Sequence, residues 1–301
     1  SALWRLISEE WSRIGDTEAY TVQLSPQGNY LAAWSFIMDV RSGRKVWSTT
    51  ADDTSSEVVA WATDETAAWV RFWSYGADPD RIERVSLPSG EAETVVEDAP
   101  LICQLSPDGR FLASENPPQK APYAHVAAVG NPDRRLRLPG HRLASETWSP
   151  NGRYLWTTGP EGIAVVDAEA METVTQISAE RLGVPLEDWS EQIDPLGLRP
   201  ANWTPDGSRV AFLAGSIQNR DIPVEEAESG RSPQHLVVAS DDGATLHEVT
   251  RCDAQPVWVA GWLSDQHVLL VEDHERLSRV EVSSGDREVI FTAPGAASGG
   301  K

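Results

Sequence analysis

The residues best equipped for chemistry are few and scattered. Glu272, Asp273 and His274 adjoin in "VEDHER", where two carboxylates and an imidazole are the donor types a divalent cation takes. The other histidines are His125, His141, His235, His247 and His267. His235, His247 and His267 fall inside strand-like runs and read as structural, whereas His141 and His274 fall in connections. Cys103 and Cys252 stand far apart without a CxxC, so they read as free thiols rather than as a metal knuckle or a disulfide framework. The sequence has no GxSxG, no HExxH and no glycine-rich phosphate loop after a strand, which removes the apparatus for esterase-type, zincin-type and phosphoryl-transfer chemistry. No catalytic residue is assigned and no cofactor is expected; a divalent cation at residues 272–274 is the alternative.

Recognition has better candidates. "RFWSYG" carries Trp73 and Tyr75 where a strand runs into a loop, and period-two alternation sends Phe72 to the side opposite Trp73. Trp189 lies in "LEDWSEQI" and Arg220 in "SIQNRD". Trp, Tyr and Arg dominate binding hot spots, so Trp73, Tyr75, Trp189 and Arg220 are the candidate partner contacts. Across its 301 residues the chain has a net charge of −21. That field repels phosphate backbones and anionic lipid surfaces. Nucleic acid and membrane are therefore excluded as expected partners, and a basic protein or peptide is favoured. A monomer is the expectation. The sequence has no apolar run of the roughly 20 residues that span a bilayer and no secretory pattern at its start, so the expected location is cytoplasmic, with a mature secreted form as the alternative.

What could position such residues is written four times. "LSPQGNYLAAW", "LSPDGRFLAS", "WSPNGRYLW" and "WTPDGSRVAFLAG" place a Ser or Thr at 25, 106, 149 and 204. Each is an apolar run, a Ser/Thr-Pro-x-Gly turn and a second apolar run, which is a hairpin. The first interval is nearly double the second, and "VVAWATDETAAWVRFW" fills it with a weaker turn, TDET. "WVAGWLSDQHVLLVED" supplies a sixth copy that lacks both Pro and Gly. After each copy comes a second hairpin, such as "RVSLPSGEAETVVE" or "SRVEVSSGDREVIFT". Four antiparallel strands recurring about every 40 to 60 residues are the mark of a β-propeller. The fold class expected is all-β, a six-bladed propeller of four-stranded blades. Trp61, Trp148, Trp203 and Trp262 occupy one point of the repeat, so they read as blade-packing residues rather than as a sugar-stacking surface.

Over residues 18–293 these hairpins resemble the WD-repeat-like blades of TolB-type propellers, which also occur in prolyl oligopeptidase-like enzymes. The resemblance implies fold more than function, because such propellers serve as binding platforms, enzyme lids and catalytic scaffolds. The blades are expected near 18–56, 57–98, 99–142, 143–197, 198–255 and 256–293. Residues 1–17 are left over, and Leu3, Ile7, Trp11 and Ile14 recur at helical spacing, so a helix or irregular cap is expected there; pairing of "LWRLIS" with the last blade is the alternative. Residues 294–301 read as a flexible tail.

In such a blade the first-to-second and third-to-fourth turns share one face, and here they are uniformly tight. The length variation falls on the other face, in residues 74–80, 115–124, 179–201 and 216–234. Loops held by a rigid scaffold carry function disproportionately. The sequence therefore points to a non-catalytic scaffold that binds a protein or peptide through its loop face and channel mouth. An enzyme or metal-binding propeller and a small-ligand or glycan sensor are the alternatives.

Overall fold

The computed structural model describes residues 2–7, 10–16, 22–33, 35–49, 54–74, 80–100, 102–115, 123–159, 161–182, 202–204, 206–214, 234–252, 257–272 and 276–292. The first blade is β3 (Val22–Leu24), β4 (Tyr30–Ala33), β5 (Phe36–Asp39) and β6 (Lys45–Ser48), after a separate pair, β1 (Ala2–Ile7) and β2 (Glu10–Asp16). The second is β7 (Thr54–Trp61), β8 (Ala67–Ser74), β9 (Arg81–Ser86) and β10 (Ala92–Val96). The third is β11 (Ile102–Leu105), β12 (Phe111–Glu115), β13 (Tyr123–Ala128) and β14 (Asn131–Pro139). The fourth is β15 (Arg142–Trp148), β16 (Tyr154–Gly159), β17 (Gly162–Asp167) and β18 (Glu172–Ser178). The fifth has β19 (Arg209–Ala214), β20 (Gln234–Ser240) and β21 (Leu246–Cys252), and among the described residues ahead of β19 Trp203 bridges to Val210. The sixth is β22 (Val257–Ser264), β23 (His267–Glu272), β24 (Arg276–Glu281) and β25 (Arg287–Thr292). The fold is a six-bladed β-propeller whose sheets are each built from consecutive strands.

Among the described residues the helical positions are one 3-10 turn, Glu180–Leu182, and Asn202, also in 3-10 conformation, and no helix is long and apolar enough to cross a membrane.

Residues 1–120 with 125–136 form one compact unit, and residues 121–124 with 137–301 form another. Both obey one packing rule. A middle strand is covered on both faces, so it reads as a continuous apolar run and its two residue sets enter different cores. On β8, Ala68, Val70 and Phe72 join Ala32 and Ile37 of the first blade. Ala67 and Trp69 pack with Cys103 and Leu105 of the third. On β19, Val210, Phe212 and Ala214 meet Trp156, Ile163, Val165 and Ile177 of the fourth blade. Ala211 and Leu213 meet Val259, Val268, Leu270 and Val280 of the sixth.

The recurrent turn is held by its first side chain. Ser106 Oγ donates to Asp108 Oδ1 at 2.6 Å and accepts the Phe111 N–H at 3.0 Å, while Asp108 Oδ1 accepts the Arg110 N–H at 3.0 Å. Ser149 with Asn151 and Thr204 with Asp206 repeat the pattern at nearly the same distances. Ser240 with Asp242 does so between β20 and β21. The hydroxyl closes the loop, and the residue two positions on orders its far side. Gly109, at φ +72°, has a second constraint: a Cβ there would lie 2.4 Å from the Trp69 indole of the preceding blade.

Two details depart from expectation. Residues 2–7 and 10–16 form strands, not a helix; β1 and β2 pair antiparallel, with Leu6 opposite Trp11 and Trp4 opposite Arg13. Spacings of three and four residues in so short a segment suit either period, and a stretch rich in Trp, Leu and Ile favours strands. In TDET the glycine position is taken by Glu65 at φ +57°. Its buried carboxylate accepts the Gln27 N–H and Asn29 Nδ2, both at 2.7 Å, from the turn of the first blade.

Candidate functional site

The long connections between second and third strands, and the one between the fourth and fifth blades, fall mostly outside the described residues. Tyr75, Trp189, Arg220, Asp273 and His274 lie outside the described residues, so of the expected site residues Trp73 and Glu272 remain to be placed.

Trp73 follows Arg71 on β8, on the side that Ala67 and Trp69 turn toward the third blade. Phe72, as alternation requires, lies in the core on the other side. Trp73 is half-buried, and the Arg71 guanidinium lies 5.4 Å from its ring centre, within cation–π range. Arg71 is itself buried and bridges two carboxylates. Its Nη2 donates to Asp80 Oδ2 at 2.8 Å, and its Nη1 reaches Glu57 Oε1, directly opposite on β7, at 3.4 Å. The Nε donor is buried without a hydrogen-bond partner.

The third blade meets this row with one of its own. Cys103 of β11 is paired with Ser114 of β12, and Ser114 Oγ lies 2.8 Å from His125 Nε2 on β13. Burial pushes the Cys103 thiol up to about 11; the Arg71 charge opposes this, and Glu57 and Asp80 add to it. Cys103 thus links the third blade to the charged row of the second, in which two carboxylates are set against one guanidinium. The Ser114–His125 pair is no nucleophile, because Ser114 has no exposed surface through which a substrate could reach it.

Cys103 supplies a direct chemical check. Its raised value leaves roughly a hundredth of the usual thiolate near pH 8, so its alkylation by iodoacetamide is expected to be about a hundredfold slower than in the unfolded chain, read by mass spectrometry. Because the folded value lies above the unfolded one, the associated stability is fully present below about 9 and is lost as pH rises through about 11.

Glu272 is turned inward beside Val268 and Leu270 and has no exposed surface. It accepts Ser278 Oγ at 2.5 Å and pairs with the Arg287 guanidinium, so its charge is already engaged within the blade. Among the described residues, no group of three or more His, Cys, Asp and Glu side chains could hold a metal ion. His141 Nδ1 meets Thr157 Oγ1 at 3.1 Å, and burial lowers its pKa. His235 pairs with Glu248 at 2.7 Å, and His267 Nδ1 meets Ser264 Oγ at 3.0 Å. Glu57, Arg71, Asp80 and Ser114 are not marked in the sequence, whose one available signal is a lone arginine inside the apolar run "AAWVRFW".

No protein-family model matches the sequence, and no curated protein matches it. Solved structures do. The Cps50 (Swd1) β-propeller domain of Myceliophteria thermophila is similar with a TM-score of 0.57 at 13% identity, over 94% of this chain and 87% of that one. A prolyl endopeptidase gives 0.55 at 13% identity, over 95% of this chain and 45% of that one. A putative TolB from Agrobacterium tumefaciens gives 0.44 at 13% identity, over 80% and 84%. At such identities the likeness concerns fold alone, and the first two carry it: the chain shares the β-propeller fold.

Proposed function

We propose that this propeller is a non-catalytic interaction module that holds a protein or peptide through the connections between its second and third strands. The supporting observation is the platform at the end of β8. A half-buried tryptophan is braced by a buried arginine, which is in turn fixed by carboxylates on both sides. The strand then runs directly into one of the long connections. A rigid aromatic anchor beside an ordered charge is the arrangement that concentrates binding energy in an interface.

The test is affinity purification from cell extract with wild-type protein, a Trp73→Ala variant, and a variant whose residues 216–234 are replaced by a short Gly-Ser turn. Truncating an anchor tryptophan costs about 2 to 4 kcal/mol of binding, which is enough to lose a micromolar partner on washing. The identified partners of the wild type are expected to be lost by one or both variants and kept by a Ser42→Ala control on the opposite face. Equal recovery by all four proteins overturns the reading.

A further inference from the structure

We infer that the group this platform accepts from its partner is a basic side chain, a guanidinium above all, bound by Glu57 and Asp80 beside the Trp73 ring. The inference rests on the interaction-module reading and gives it a chemistry. Arg71 uses one oxygen of each carboxylate, Oε1 of Glu57 and Oδ2 of Asp80. One positive charge cannot neutralise two negative ones. The side chains of Glu57 and Asp80 are 48% and 22% exposed, against 6% for Arg71, so the excess negative charge faces outward and its counter-charge is sealed behind it.

The neighbouring aromatic ring selects for the same sign. The Arg71 guanidinium already lies within cation–π distance of Trp73, and a second planar cation over the outer part of the indole would gain the same interaction. Alternatives fit less well. An anion would meet a net negative cluster whose guanidinium nitrogens Nη1 and Nη2 are already committed. A metal ion would find two carboxylates held by an arginine, and no group of three donors among the described residues. The chain's net charge of −21 adds a long-range field of the required sign, which speeds encounter without choosing the site.

The experiment titrates an amidated tetra-arginine peptide into the full chain at physiological salt, read by calorimetry and by tryptophan fluorescence. Tetracitrulline, with the same shape and no charge, is the comparison. Wild type is expected to bind tetra-arginine and not tetracitrulline. Glu57→Gln, which leaves the Arg71–Asp80 pair in place, is expected to weaken binding about tenfold, and Trp73→Leu by a similar factor. Glu161→Gln, which removes an equal charge from an exposed position in the fourth blade, is expected to leave affinity unchanged. Binding that Glu57→Gln and Trp73→Leu leave at the wild-type level, or that Glu161→Gln weakens as much as Glu57→Gln does, overturns the inference. The two levels of the argument separate cleanly. Partners kept by Glu57→Gln but lost by Trp73→Ala would sink the cation site and leave the module standing. Tetra-arginine binding that depends on Glu57, with partner recovery indifferent to Trp73 and to residues 216–234, would do the reverse.

Discussion

Trp156→Ala is expected to destabilise the protein by about 4 kcal/mol, in the range found for removal of a fully buried aromatic side chain. Trp156 has no exposed surface and lies at the seam between the fourth and fifth blades. Its ring meets Trp203 edge-on at 6.2 Å and Phe212 at 5.8 Å, and its Nε1 donates to the Asp241 carbonyl of the next blade at 2.9 Å. Alanine would leave a cavity lined by both rings and an acceptor without its donor. Trp156→Phe keeps most of the apolar contact and removes the donor, so about 1 to 2 kcal/mol is expected from the lost hydrogen bond and the partial void. Urea unfolding followed by far-ultraviolet circular dichroism distinguishes the two. A loss below about 2 kcal/mol for alanine would mean that the seam closes around the gap more readily than a close-packed core does.

The second large effect is expected at Glu65. Two hydrogen bonds end on its carboxylate, and bonds to a charged group contribute about 1.5 to 3 kcal/mol each. Its φ of +57° costs an L-residue about 1 to 2 kcal/mol. Glu65→Ala keeps the backbone cost and discards both bonds, so a loss of about 3 kcal/mol is expected. Glu65→Gly discards the bonds but relieves the backbone, and should recover about 1 kcal/mol of that loss. The order alanine worse than glycine worse than wild type, measured in urea, is the signature of a residue retained for its side chain against its conformation. Glycine as stable as wild type would show that the bonds across the two turns contribute little.

The architecture was legible because its signal is local and repeated. Ser, Pro and Gly at fixed offsets define the turn whichever blade carries it, and the apolar runs on either side show that strands such as β8 and β19 are covered on both faces. Glu65 was legible only as a turn that lacked its usual residues. Its role depends on Gln27 and Asn29 in another blade, and no rule of local spacing brings those three together. The N-terminal segment misled for the opposite reason: Leu3, Ile7, Trp11 and Ile14 satisfy a helical period, while Ala2–Ile7 and Glu10–Asp16 pair as antiparallel strands. At the candidate site, Trp73 stands out in the sequence by residue type and position. Glu57, Arg71 and Asp80 do not, because a cross-strand pair is fixed by register, which the sequence does not display.

That each sheet is completed by consecutive strands has a consequence for biosynthesis. No blade waits for a segment made much later, so the ordering entropy of each sheet is met by contacts close along the chain. A nascent polypeptide can finish a sheet once its last strand clears the ribosome, while the next is still being translated. The edge most exposed to mispairing at any instant is then the newest one; in the sixth blade that edge is β25, where Val289, Ile290 and Phe291 are open to solvent.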